Sequence, residues 1–269
     1  MTRQSPTQEE SRASHAVLIE VLNVLGGYRE GLVVIGGWVP ELMFPQQGHV
    51  GSLDVDLAVD GRRIPPSAYD TIPSRLSAAG YRQAAPGAGV FRKQVGASGC
   101  VTVKLDLVSS HDRGTPAADG GAAVHGLNLG RLRGVQLAFD DAVGMTLRGT
   151  MPDGTENTVQ ARVAGVPAFL CMKAFALSER LKPKDAYDIS FCLRHFPGGP
   201  AALAKAAQPL MTGSDGRAAR EILREKFRSV QSVGPQWAAD VAGGQGGDRE
   251  TIARDAYERL QRFDAGLDA

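Results

Sequence analysis

Val33-Val34-Ile35-Gly36-Gly37-Trp38, followed shortly by Gly51-Ser52-Leu53-Asp54-Val55-Asp56-Leu57-Ala58-Val59, is the stretch on which the reading of this chain turns. The first part is a β-branched run that ends in two glycines, which predicts a buried strand breaking into a tight turn. The second part alternates, with Leu53, Val55 and Leu57 on one strand face and Ser52, Asp54 and Asp56 on the other. Carboxylates at i and i+2 stand roughly 7 Å apart along a strand. Such a pair repels itself unless a cation sits between. A hard divalent ion, Mg²⁺ or Mn²⁺, suits carboxylate oxygens and substrate phosphate. Alone, Asp-x-Asp reads as a solvated edge-strand face; the Gly-Gly turn upstream tips it towards a site. Gly36 and Gly37 would let a triphosphate approach the main chain, the short helix expected from about Trp38 to Phe44 would offer N–H groups to phosphate, and Ser52 would add a hydroxyl.

Composition sets the frame. At 269 residues and net charge +1, the chain suffices for one large domain or two smaller ones, and its near balance argues against bulk coating of nucleic acid. A hydrophobic content of 43% is that of a globular protein. No run approaches the ~20 apolar residues of a membrane span. The polar stretch from Met1 to Ser11 lacks the apolar centre of a signal peptide. Cys100, Cys171 and Cys192 form neither a zinc pattern nor an even disulfide set, so a cytoplasmic location is expected, with no membrane partner.

Upstream, Thr7 to about Leu25 predicts a helix with Thr7 and Glu10 as a capping box. Downstream, Ile64 to Gly80 predicts a helix, Val90 to Lys93 a strand, and Val101 to Val108 an alternating strand with Thr102, Lys104, Asp106 and Val108 on one face. If that strand lies beside Leu53–Val59, Asp106 completes a carboxylate triad, able to accept a proton or help bind metal. His111 to Gly130 reads as a loop, in which His111 and Asp112 are most simply solvated. Met145–Thr150 and Asn157–Val163 around Pro152-Asp153-Gly154 read as a hairpin.

The second informative stretch runs from Pro167 to Ile189. Pro167 suits a first helical turn and Pro183 ends or interrupts that helix. Lys173 and Arg180, seven apart, project from one face, and Lys184 and Asp188 stand at i and i+4 on the next helix. Taken singly, these are two amphipathic helices with charged outer sides. Jointly, Lys173, Ala176, Leu177, Arg180, Lys182, Lys184, Asp185, Tyr187 and Asp188, with Gly36-Gly37, Ser52-x-Asp54-x-Asp56 and Lys104-x-Asp106 in order, resemble the AbiEii/MenA-like toxins of the nucleotidyltransferase superfamily over roughly residues 30–195. Relatives often carry an arginine just before the Ser/Thr-x-Asp-x-Asp segment, where this chain has Val50 and Gly51.

The resemblance implies an α/β (α+β) fold: a nucleotidyltransferase-like mixed sheet with flanking helices over 1–165 and a helical region over 166–269. It implies metal-dependent transfer of a nucleoside monophosphate from an NTP to an acceptor hydroxyl, with an RNA such as tRNA as acceptor and a cognate antitoxin as partner. A small-molecule, antibiotic-type nucleotidyltransferase and a non-catalytic nucleotide-binding or partner-binding module are the alternatives. By resemblance Asp54, Asp56 and Asp106 bind metal, Lys173 contacts nucleotide phosphate, Asp188 supports the site, and Gly36, Gly37, Ser52, Lys104, Arg180, Lys182 and Lys184 line the nucleotide. The expectation for Lys173→Ala is lost catalysis with the fold kept. The C-terminal third predicts helices over Ala201–Met211, Asp215–Val230 and Arg249–Phe263, with a glycine-rich linker around Gly243–Gly247. Arg217, Arg220, Arg224 and Arg228 form a basic stripe that reads as a solvated face or an RNA-docking groove.

Overall fold

The computed structural model describes residues 6–64, 71–96, 99–109, 115–116, 122–124, 127–243 and 247–269. His111, Asp112, the start of the helix expected at Ile64 and most of the glycine-rich linker lie outside them. Two compact units emerge, one from Pro6–Val39 and Val50–Ala164, the other from Pro40–His49 and Gly165–Ala269.

The first unit is built on a mixed sheet, ten-stranded among the described residues. Helix α1 (Gln8–Val24) opens it with the expected capping box: Thr7 Oγ1 accepts from the Glu10 N–H at 3.2 Å, and the Glu10 carboxylate accepts from the Thr7 N–H at 2.6 Å. Its buried residues, Ala13, Ser14, Val17, Leu18, Val21 and Leu22 among them, recur at three and four, so one stripe faces the sheet. β1 (Leu32–Ile35) is buried at every position. That follows from its inner place in the sheet, between the strands Val55–Val59 and Glu156–Ala164, since an inner strand covered on both faces reads as a continuous apolar run. A 3-10 turn at Gly36–Trp38 leads into the five-residue α2 (Val39–Met43). β2 (Val55–Val59) returns antiparallel to β1, and β5 (Val101–Ser109) lies parallel to β2.

α3 (Thr71–Ala78) precedes β3 (Arg82–Gln83) and β4 (Val90–Val95), with β4 antiparallel to β5. Part of the expected loop over 111–130 is strand: β6 (Thr115–Pro116), β7 (Ala122–Val124) and β8 (Leu127–Arg131). Leu127 and Leu129 alternate into the core, a pattern too short to stand out from the glycine and alanine around it. α4 (Val135–Asp140) follows, and β9 (Ala142–Thr150) and β10 (Glu156–Ala164) form the predicted hairpin, with Gly154 at φ +87° in its turn.

The second unit is helical: α5 (Val166–Glu179), α6 (Pro183–His195), α7 (Gly199–Met211), α8 (Ser214–Lys226), α9 (Val233–Ala242) and α10 (Arg249–Gly266). α5 is not the amphipathic helix its charges suggest. Every residue from Val166 to Leu177 is buried, the signature of a helix surrounded by others. α8 ends at Lys226, short of the expected Val230, because Phe227 turns fully into the core. Its ring lies where a side chain at Gly234 would stand, so α9 packs there only because residue 234 is glycine. Among the described residues, no helix is long and apolar enough to cross a membrane.

Candidate active site

In the sheet unit the acidic residues meet as the alternation requires. β2 and β5 run parallel with Asp56 opposite Asp106, so these carboxylates project from one face. Asp54 lies just ahead of β2, whose first residue is Val55, and belongs to the entering turn rather than to the strand. Lys104, two residues before Asp106 on the same face, joins the group: its Nζ donates to Asp106 Oδ2 at 2.6 Å and stands 4.0 Å from Asp54 Oδ2. Burial alone would lower the Lys104 pKa, but the Asp106 hydrogen bond and the charges of Asp106, Asp54 and Asp56 outweigh it and hold the ammonium charged.

Gly36 closes the other side. Its φ is +71°, and a Cβ there would lie 2.0 Å from Asp56 Oδ2, so only glycine lets the turn come this close to the carboxylate. Gly37 is buried in the same turn. The Ser52 hydroxyl donates to the Asp54 carbonyl at 3.0 Å and fixes the acidic turn.

These residues fit one divalent cation. Lys104 feels the charge of all three carboxylates, and Asp106 Oδ1 is buried without a hydrogen-bond partner. Such an atom carries a desolvation cost until something cationic or protic meets it. Among the described residues no three acidic, histidine or cysteine side chains enclose a metal by themselves. Part of an ion's shell would therefore come from phosphate and water, the habit of Mg²⁺.

In the helical unit the second motif folds into a buried ionic cluster. Lys173 sits at the middle of α5 and is 5% exposed. Its ammonium lies 2.7 Å from Asp185 Oδ1 and 2.7 Å from Asp188 Oδ2, both on α6. Arg180 grips Asp185 with Nε at 2.8 Å and Nη2 at 2.7 Å, and Lys184 holds Asp188 at 2.9 Å in the anticipated i, i+4 relation. Lys173 and Arg180 do share one direction, because both reach Asp185. Lys173, for which the resemblance implies contact with nucleotide phosphate, is buried in mid-helix and paired with two carboxylates. Lys182 is exposed at the N-cap position of α6.

One member of this cluster escaped the sequence reading. His49 Nε2 meets Asp188 Oδ1 at 2.9 Å with both side chains fully buried. The imidazole rests between Tyr187 and Phe191, with ring centroids at 5.4 and 4.9 Å. Desolvation lowers the His49 pKa more than the Asp188 hydrogen bond raises it, and because the Asp188 carboxylate can only accept, Nε2–H is the donor. Burial would raise the Asp188 pKa, but Lys173, Lys184 and the His49 hydrogen bond together hold it well below the ordinary carboxylate range. A lone histidine in an irregular segment carries no sequence signal for this role.

The Arg217/Arg220/Arg224/Arg228 stripe is largely spent within the unit. Arg220 binds Asp264 at 2.6 Å and Asp268 at 2.7 Å, and Arg224 binds Asp264 at 2.8 Å, tying α8 to α10. Arg217 bonds the Thr212 carbonyl, and Arg228 lies beyond the helix end.

No curated protein matches the chain significantly. Among solved structures, a candidate nucleotidyltransferase from H. pylori is similar at 12% identity, with a TM-score of 0.42 and 98% of each chain covered. The family model described as "Nucleotidyl transferase AbiEii toxin, Type IV TA system" matches residues 23–269, which takes in both the acidic sheet face and the ionic cluster. The chain belongs to the AbiEii nucleotidyltransferase toxin family of type IV toxin–antitoxin systems.

Proposed function

We propose that this chain transfers a nucleoside monophosphate from an NTP to the terminal hydroxyl of an RNA such as tRNA, in a reaction that requires Mg²⁺ or Mn²⁺. The observation that supports it most is the register of β2 and β5, which brings Asp56 opposite Asp106 beside the glycine turn at Gly36. Asp54 and Asp56 hold the metal. Bound there, the ion neutralises phosphate charge and orients the triphosphate. Gly36 and Gly37 give the phosphates room against the main chain. Lys104 holds Asp106 in place through Oδ2, and in this reading the Asp106 carboxylate takes the proton of the attacking hydroxyl. The acceptor oxygen forms its bond to the α-phosphorus as the bond to the pyrophosphate oxygen breaks, and pyrophosphate leaves. The remaining catalysis is positioning and charge neutralisation.

The helical unit by itself supplies three cations, Lys173, Arg180 and Lys184, against two carboxylates, Asp185 and Asp188. In this reading Lys173 braces the carboxylates, while Arg180 and Lys184 give the cluster its attraction for anions. Membership of a type IV toxin family supports an antitoxin protein as a second partner.

The test is incubation of purified protein with each α-labelled NTP, Mg²⁺ and total tRNA. Wild type is expected to label tRNA. Asp56→Asn and Asp106→Asn should lower the rate by about 10²–10³-fold, the scale of losing one positioned electrostatic group. Label in a small product without RNA would move the acceptor to a small-molecule hydroxyl; no product with any NTP would overturn the reading.

A further inference from the structure

The helical unit holds a cavity of about 90 Å³ between α6, α9 and α10. On α6, Tyr187, Phe191 and His195 recur every four residues and make one aromatic wall. Phe191 and His195 lie 4.3 Å apart between ring centroids. The facing positions on α9 are Ala238 and Ala242, again four apart. Methyl groups there leave the rings uncovered, and a slot remains. Its volume is several times the ~10–15 Å³ that one water needs, and well below the roughly 300–1,000 Å³ of pockets for larger ligands. A single ring is the occupant such a space admits.

The polar groups of the slot are uncommitted. Ser190, Arg194 and His195 line it, and none of their side chains hydrogen-bonds to another described residue. Ser190 omits even the bond to the carbonyl four residues back that a helical serine can make. Arg194 stands 3.2 Å from Asp255, but Arg259 takes both oxygens of that carboxylate at 2.8 Å. Two guanidiniums thus share one carboxylate, one positive charge is left over, and the half-exposed Arg194 carries the open donors. Desolvation first, then Arg194 and Arg259, lower the His195 pKa against the pull of Asp255, which favours the uncharged ring. Aromatic walls with a few converging polar groups are the make-up of a small-molecule site. The planar guanidinium matches a carboxylate through two parallel bonds.

We infer that this slot binds a small single-ring aromatic carboxylate, with the ring between Phe191 and the α9 alanines and the carboxylate on Arg194. The inference does not depend on nucleotidyl transfer.

The test is calorimetric titration of the full chain with sodium benzoate, benzamide and sodium acetate. Benzoate should bind wild type saturably. Benzamide keeps the ring without the charge and acetate keeps the charge without the ring, so each should bind more weakly by about tenfold or more. Arg194→Gln should weaken benzoate by about ten- to a hundredfold, the range for losing a hydrogen bond to a charged group. Ala242→Met fills the slot and should remove benzoate binding, with a thermal midpoint within about 4 °C of wild type. If that variant unfolds earlier, Ser190→Leu blocks the slot from α6 instead. No saturable binding by wild type overturns the inference, as does equal affinity for benzamide. So does benzoate binding that survives the filled slot, since the ligand then lies elsewhere. A loss in Arg194→Gln alone shows attraction to a surface charge and overturns it too.

Discussion

Gly36→Ala puts the geometry of the acidic site to a quantitative test. Two effects arise at that position. The first is conformational: at φ +71° an L-residue is in the left-handed region, which costs about 1–2 kcal/mol. The second is steric: the new methyl would lie 2.0 Å from Asp56 Oδ2, 2.8 Å from its Cγ and 3.0 Å from its Cβ. No Cβ tolerates such contacts, so either Asp56 swings off the face it shares with Asp106 or the turn opens. Overpacking of this kind costs about 1–3 kcal/mol. Gly80 isolates the first effect. It lies in the same unit at φ +83°, and a Cβ there meets nothing within 4 Å. Gly80→Ala should therefore show the backbone cost alone, about 1–2 kcal/mol, with normal nucleotide binding. Gly36→Ala should lose more stability than Gly80→Ala, or, where Asp56 yields, lose affinity for Mg²⁺–NTP by tenfold or more on the scale of about 1.4 kcal/mol. Urea midpoints and calorimetric titration of the two variants against wild type make the comparison. If Gly36→Ala unfolds with Gly80→Ala and binds Mg²⁺–NTP like wild type, the glycine turn does not serve the Asp56 carboxylate.

Two further expectations concern the helical unit. Asp188→Asn and Lys173→Ala each leave buried charge uncompensated and should cost about 3–5 kcal/mol at pH 7, so Lys173→Ala should not keep the fold intact as its motif alone suggests. Because the Asp188 pKa is depressed in the folded state, its stabilisation is complete above the ordinary value of 3.8 and fades as pH falls below that value towards the folded one. Urea unfolding should accordingly show the gap between wild type and Asp188→Asn narrowing in that acid range, and a constant gap would refute the assignment. Arg220→Gln with Arg224→Gln should lower the unfolding midpoint slightly, within the ~1 kcal/mol of a part-exposed ion pair, and leave the salt dependence of tRNA binding unchanged. A flatter salt slope would return the stripe to the role of an RNA surface.

Much of the site is local and could be read from order alone. Alternation places Asp56 and Asp106 on strand faces, the double glycine marks a turn, and Lys184 and Asp188 pair because four residues nearly complete a helical turn. The capping box of Thr7 and Glu10 and the hairpin around Gly154 are decided within a few residues in the same way. What no local pattern contains is the partner of each element. The parallel pairing of β2 with β5 turns two separate aspartates into one face, with more than forty residues of chain between them. The burial of α5 on all sides converts Lys173 from a presented cation into a brace between two carboxylates. His49 enters the cluster across 139 positions, through a contact that only packing creates. Arg220 and Arg224 look alike in sequence whether they face solvent or Asp264, and the position of α10 chooses between the two. Periodicity reports which way a side chain points from its own element; the tertiary structure alone determines what it meets, because burial and charge pairing are properties of neighbours distant in the chain.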